Sequence, residues 1–343
     1  MTRDKDYFQE YRIVRDLSSR MILGILIFGL ALFPLVSQSD YHVFVANILF
    51  INIIIAVGYN IVVGNTGLIS LGHSGFLAVG AYASIILMTK IGAPFLVSVL
   101  FAGIVTAALG FIVGLPALRL EGPYLAIATL GFGIAVEQVL GLAKSLTGGR
   151  DGVDTPPYSI FGHVMDTDVT LGPIVLSSEK QIYYVILVAM VIMTAAAARM
   201  MKSRVGRGFT AVRDSAVAAR ALGVNVTYFK SLAFAVSAFY MGVAGSLNAH
   251  MVNHINPSQY GLMVSITMVG MIVVGGLGSI TGSIMGAVLF TLLHQMLAAQ
   301  DHLNAIITGL VMVAIIIFEP RGLSGMWRTI TDRLLGKPEE RKI

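Results

Sequence analysis

Residues 199–230 read Arg199-Met-Met-Lys-Ser-Arg-Val-Gly-Arg-Gly-Phe-Thr-Ala-Val-Arg-Asp-Ser-Ala-Val-Ala-Ala-Arg-Ala-Leu-Gly-Val-Asn-Val-Thr-Tyr-Phe-Lys230. The stretch carries seven basic residues and one acid, Asp214, and it lies between apolar runs at about 181–201 and 229–248. A basic loop held between two apolar runs marks a chain that crosses a bilayer and returns, with Lys and Arg retained on the cytoplasmic side. The flanking runs are long enough to span hydrocarbon as helices.

Eight more apolar runs lie outside this pair, at about 21–37, 43–63, 74–89, 94–115, 123–143, 262–277, 283–299 and 304–318. Charge sets their orientation. The tail 319–343 holds six basic residues, and loop 144–180 holds five acids, Asp151, Asp154, Asp166, Asp168 and Glu179, against three basic residues. The N-terminal segment 1–20, the loop 202–228 and the tail are therefore expected to be cytoplasmic, and 144–180 external. Ten spans across 21–318 satisfy all four placements. The expected fold is an all-α polytopic membrane protein of about ten transmembrane helices. The run at 21–37 follows a long segment of mixed charge and reads as an uncleaved first helix.

Composition agrees. Of 343 residues, 56% are hydrophobic and 12% charged, with mean hydropathy +0.82. A soluble domain carries about 25% charged residues, because its outside must be wetted. The net charge of +5 sits in short loops between apolar runs, which argues against nucleic acid as a partner. The chain has no cysteine, so disulfides, thiolate metal sites and Cys nucleophiles are excluded. No Gly-x-x-x-x-Gly-Lys-[Ser/Thr] phosphate cradle occurs. The chain is expected not to be an enzyme, and no cofactor is expected. His250 and His254 are four apart, in what reads as a loop from Ala249 to Pro257, with no carboxylate beside them. No metal site is expected there.

Glycine, at 37 residues, is concentrated inside the apolar runs. Gly278, Gly282 and Gly286 repeat at every fourth position, as do Gly110 and Gly114, a spacing that lets helix backbones approach closely. Two stretches look alike: Val62-Val-Gly-Asn-Thr-Gly-Leu-Ile-Ser70 and Val273-Val-Gly-Gly-Leu-Gly-Ser-Ile-Thr281. Each ends an apolar run on the expected cytoplasmic side, as an internal duplication would produce.

Polar groups inside spans face protein or water, because they are costly in hydrocarbon. Asn60, Asn65, Thr66, Ser70, His73 and Ser74 cluster in a Gly-broken stretch, and Thr129, Glu137 and Gln138 lie in the fifth run. Asn65, Thr66, Ser70, His73, Thr129, Glu137 and Gln138 are the candidate substrate path. Broken helices expose backbone groups that can hold a zwitterion, although plain structural hydrogen bonding is the favoured role for each residue taken singly. Within the basic loop, residues 209–222 read as one amphipathic helix. Phe209, Val212, Ala216, Ala219 and Leu222 share a face, and Gly223 stops it. Such a helix either lies on the lipid surface or docks into a groove on a partner.

The chain resembles the permease subunits of branched-chain amino acid ATP-binding-cassette importers, of the LivM type. Three blocks carry the resemblance: Tyr59–Tyr82; Leu118–Gly133 with Leu146-Thr-Gly-Gly-Arg-Asp-Gly152; and Gly206–Gly286. It implies the larger importer-permease fold, with a cytoplasmic coupling helix that docks on separate ATPase subunits. The Ala218-Ala219-x-x-x-Gly223 spacing is similar to that docking motif, with Val217 where the family has Glu. Phe209, Val212, Arg213, Ala218, Ala219, Arg220 and Gly223 are the coupling residues so implied, Arg213 or Arg220 replacing the missing charge contact. The resemblance further implies a second, related permease subunit, an external binding protein that could dock on the acidic loop 144–180, and a bacterial inner-membrane location. Urea or a short amide is an alternative cargo, and an ion-coupled secondary transporter is an alternative of another class.

Overall fold

The computed structural model describes residues 17–37, 39–115, 120, 122–157, 159–160, 163–164, 169–171, 174–297, 301–319 and 322–326. The expected N-terminal segment and basic tail lie mostly outside these.

The chain opens with α1 (Leu17–Val36), α2 (Asp40–Val63), α3 (His73–Ile91), α4 (Phe95–Gly114) and α5 (Pro123–Leu142). A short α6 (Lys144–Thr147) leads into the region expected to be external. There β1 (Val153–Asp154), β2 (Ser159–Ile160), β3 (His163–Val164), β4 (Val169–Leu171) and β5 (Ile174–Leu176) form small antiparallel pairs. Next come α7 (Ser178–Lys202), α8 (Arg204–Asp214), α9 (Ala216–Ala221) and α10 (Val226–Val252). β6 (His254–Ile255) and a 3-10 turn (Pro257–Tyr260) precede α11 (Leu262–Gly275), α12 (Ile280–Met296) and α13 (Asp301–Phe318).

All ten apolar runs fall on helices. Among the described residues, seven helical stretches have the length and apolarity of a full span: α2, α3, α4, α5, α7, α10 and Pro257–Gly275. Three further apolar stretches, Gly24–Val36, Ile280–Met296 and Ile306–Ile315, lie within α1, α12 and α13. The protein is an all-α, multi-pass membrane protein.

α10 is the central post. It packs against α2, α3 and α4 and is buried along most of its length. In lipid no hydrophobic force drives apolar helices together, so close packing and hydrogen bonds must do so. Small residues supply the packing. Gly80 of α3 lies so close to Gly242 of α10 that a Cβ on Gly80 would collide with the Gly242 backbone, and a Cβ on Gly242 would collide with Thr106 and Ala102 of α4. Gly110 and Gly114 of α4 seat Phe234, Ala238 and Ser231 of α10. Gly282 and Gly286 of α12 pack on Gly275 and Met271 of α11, so the four-residue spacing seen in the sequence serves helix contact. The opposite face of α4, with Leu96, Val97, Leu100, Ile104 and Ile112, is exposed and suits lipid.

α1 shows how hydrogen bonding is completed where a helix is broken. Pro34 lies inside it and has no N–H to offer the carbonyl four residues earlier. Tyr183 of α7 donates to that carbonyl, Leu30 O, at 2.7 Å, and Tyr184 donates to Ala31 O at 3.2 Å. The neighbouring helix replaces the missing donor, as a bilayer requires.

His250 lies within α10 rather than in a loop, buried and in edge contact with Phe95. His254 follows the left-handed Asn253 that ends the helix. It pairs across the β1–β6 ladder with Asp154, Nδ1 to Oδ1 at 2.7 Å, and its Nε2 lies 3.2 Å from Asp151 O. The two histidines thus point into different surroundings.

Two outcomes follow. Gly80→Leu places a side chain into α10 backbone and destabilises the bundle by about 1–3 kcal/mol, seen as a lower midpoint in thermal unfolding of the purified protein. The second concerns pH. The hydrogen bond from Asp154, then its charge and Asp151 O, raise His254 above its ordinary pKa of 6.5. A raised pKa makes this pair's contribution complete below the ordinary value and lost as pH rises through the raised one. Hydrogen exchange at residues 153–155 should accelerate across that window, and Asp154→Asn should abolish the dependence.

Candidate functional site

The two look-alike stretches meet in space. α2 ends at Val63, and the chain turns through Gly64–Gly72 before α3. α11 ends at Gly275, and a second turn leads to α12, whose first N–H groups are capped by Ser279 accepting from Gly282 N at 3.2 Å. In the alignment of the two stretches Gly67 corresponds to Gly278. Both adopt the left-handed backbone, φ 71° and 83°, which glycine takes without the clash a Cβ would cause.

Asn60 fastens the turns to each other. Its Oδ1 accepts from Gly278 N at 2.9 Å, and its Nδ2 donates to Ser279 O at 3.0 Å and Ser283 Oγ at 2.8 Å. Asn65 Nδ2 donates to Gly278 O at 3.3 Å. A Cβ at Gly64 would collide with both Asn60 Oδ1 and Gly278 N, so only glycine fits between them. Asn60 is 2% exposed. At that depth each bond replaces a costly unsatisfied polar group.

The remaining path candidates divide into three sets. Asn65, Thr66, Ser70, His73 and Thr129 are brought into one buried polar layer. Tyr59 OH donates to Ser70 O, Ser70 Oγ meets His73 Nδ1 at 2.8 Å, and Thr129 Oγ1 accepts from Leu71 N at 3.0 Å. Tyr59, Phe76 and Phe234 pack around the His73 ring. Ser74 N donates to Ser265 Oγ at 3.2 Å, tying α3 to α11. These groups hold the broken stretch in place. Glu137 is half-buried and shares a shallow cleft with Ser74, Tyr260 and Gly261. Gln138, the next residue on the helix, faces the exposed side of α5 and does not join the cleft. Among the described residues no group of three or more His, Asp and Glu could hold a metal ion.

The coupling segment departs from the expected single helix 209–222. α8 begins earlier, at Arg204, and the helix breaks at Ser215, whose φ of −164° and ψ of 110° are extended. Ser215 Oγ accepts from Ala218 N at 3.2 Å and starts α9. Serine competes with helix for its own backbone and favours such a cap. Gly223 ends α9 at φ 82°, as expected. The apolar stripe is correspondingly divided. Phe209, Val212 and Ala219 are buried within this chain, Phe209 in edge contact with Phe229, and Ala216 is half-buried. Leu222, expected on the same face, is 84% exposed, and Val217 is 81% exposed. Ala218, Arg220 and Gly223 are also exposed.

Arg213 joins this segment to the turns. A Cβ at Gly67 would lie 3.5 Å from its Cγ, and one at Gly278 would lie 2.6 Å from its Nη1. The side chain thus lies beside both left-handed glycines. Ser279, Ser283 and Ser265 complete the site and were not singled out from the sequence. The likeness of 62–70 to 273–281 was the signal that could have found Ser279.

Asn60→Leu removes three bonds at once and leaves Gly278 N without its partner, while Ser279 O keeps the Ser283 N–H at 2.9 Å. At about 1–3 kcal/mol for one stranded group, the variant should lose stability on that scale. Thermal unfolding of the purified protein should show this, with Asn52→Leu, at a half-buried position with one side-chain bond, losing less.

Residues 41–318 match the family described as the permease component of branched-chain amino acid transport systems. The high-affinity branched-chain amino acid transport system permease protein LivM of Salmonella typhimurium is 32% identical over 320 residues, 90% of this chain and 75% of that one. Its Escherichia coli counterpart is 31% identical with the same coverage. The permease protein BraD of Pseudomonas aeruginosa is 25% identical over 305 residues, 84% of this chain and 93% of that one. No solved structure matches. The chain is a member of the branched-chain amino acid transport system permease family.

Proposed function

We propose that this chain is the membrane-spanning subunit of an ATP-driven importer and that it passes branched-chain or other hydrophobic amino acids into the cell. It hydrolyses no nucleotide itself. ATPase subunits bind its cytoplasmic face, an external binding protein delivers the cargo, and a second related permease completes the path. Segments 1–20, 202–228 and 319–343 face the cytoplasm of a bacterial inner membrane, and 144–180 faces outside.

The observation that carries this reading is the division of labour in the α8–α9 segment. Its inner half is packed into the bundle through Phe209 and Val212, and its outer half presents Val217 and Leu222 to solvent. Isolated exposed apolar residues are ordinary. Two of them at over 80% exposure on a capped, rigid helix tip within a basic loop suit a partner's groove. An ATPase subunit seated there would push on α9, and the rigid packing of α8 would pass the motion to Arg213 and both turns. Ala218, Arg220 and Gly223 lie on the same exposed tip, whereas Ala219 holds it to the bundle.

The chain has no cysteine, so Leu222→Cys gives a single labelling site. In inverted vesicles a membrane-impermeant maleimide should modify this residue in the isolated permease and fail to modify it in the complex with ATPase subunits. Leucine uptake by the intact complex should require ATP. Equal labelling in both states, or uptake driven by an ion gradient without ATPase subunits, contradicts the proposal. Uptake of urea in place of leucine would correct the cargo alone.

A further inference from the structure

A cavity of about 150 Å³ lies between α2, α3, α10, the 3-10 turn and α11. Ile48, Ile51 and Ile55, at helical spacing on one face of α2, form one wall, and Leu77 and Val264 close it. Asn52, Asn248, Gln259 and Tyr260 supply its polar groups. Among the described residues, no charged side chain lines it. Gln259 is exposed and marks the mouth, while Tyr260 is 2% exposed. The cavity lies beyond the interlocked turns, toward the end of α10 that carries the β1–β6 pair.

We infer that this cavity is a transit subsite for a zwitterionic amino acid with a branched aliphatic side chain. The inference rests on the importer reading above and deepens it by placing the cargo inside this subunit. Volume comes first. The space of about 150 Å³ equals that of an apolar cavity known to take a benzene ring, so a leucine, isoleucine or valine side chain fits. The isoleucine wall gives that side chain an apolar surface. The polar groups are divided as a zwitterion needs. Asn52 Nδ2 is committed to Thr291 Oγ1 at 2.8 Å, which leaves its carbonyl oxygen to accept from an ammonium. Gln259 Oε1 accepts from Asn256 N at 3.4 Å, which leaves its NH2 to donate to a carboxylate. The Tyr260 hydroxyl is buried with no well-formed hydrogen bond, and Asn248 is its polar neighbour. A ligand of net charge would be left uncompensated in such a site, whereas a zwitterion presents both signs to neutral amides. Neutral contacts also hold it loosely, which suits passage.

The test uses the complete complex in lipid nanodiscs with a diazirine analogue of leucine as the probe. Irradiation should label peptides containing 48–55 or 259–264, and excess leucine should suppress the label. Val264→Phe fills the cavity and should lower that label about tenfold, the scale of steric discrimination in an apolar pocket. Tyr260→Phe keeps the shape and should lower it severalfold; if Val264→Phe fails to assemble, this variant decides. Labelling elsewhere, labelling that leucine does not suppress, or an unchanged yield in Tyr260→Phe overturns the inference. Radiolabelled leucine uptake by the unaltered complex is measured in parallel. If uptake is present and the cavity is unlabelled, only this inference fails. If uptake is absent, the importer reading fails with it.

Discussion

The side chain of Asn60 accepts from Gly278 N and donates to Ser279 O and Ser283 Oγ, and this bridge fastens the end of α2 to the turn between α11 and α12. In hydrocarbon an open backbone group costs several kcal/mol. A helix end buried among its neighbours therefore needs polar partners at the same depth. The carbonyls that end α2 are met within their own turn, by the N–H groups of Gly64, Asn65, Gly67 and Leu68, whereas Gly278 N relies on Asn60. The two turns share the left-handed glycines Gly67 and Gly278, and Gly64 brings the backbones close enough for Asn60 to reach across. Without the bridge, Gly278 N would be left without that partner.

That interlock gives the α8–α9 segment something firmly packed to act on. Arg213 lies over both glycines, while Phe209 and Val212 fix α8 to the start of α10. α10 in turn packs along α2, α3 and α4 through glycine contacts that leave no room for sliding by a side chain's width. In the proposed coupling, a displacement at α9 would be delivered to a block made of two turns and the helices they join. The cavity between Ile48 and Val264 lies in the next layer outward, where a small shift of α11 against α2 would change its volume.

Much of the fold was legible because a bilayer simplifies the problem. Apolar runs, basic loops and the acidic 144–180 segment place the helices without any tertiary knowledge. All ten runs fall on helices, and the three outside the seven full spans, α1, α12 and α13, are 20, 17 and 18 residues long, close to the lower limit of about 17 for a span. The site was legible only in part. The polar residues of 60–74 stand out against an apolar background, but their partners on α11 and α12 are scattered serines, of which only Ser279 lies in the stretch that resembles 62–70. Spacing placed Leu222 with Phe209 because it assumed an unbroken helix, and a single serine hydroxyl at Ser215 rotated the second half away. Glu137 and Gln138 are adjacent in sequence and diverge on the helix, as neighbours on a helix must.

The central claim is that the two turns move as one body. Ile69 and Leu277 lie on them, 47% and 46% exposed, and the chain has no cysteine to interfere with spin labels placed there. Pulsed electron resonance on the Ile69→Cys, Leu277→Cys pair, in the assembled complex with and without nucleotide, measures the distance between turns directly. The account predicts one narrow distribution that nucleotide leaves unchanged. A second, longer distance on adding nucleotide would mean that the turns separate during the cycle, and the interlock would not be the unit that moves.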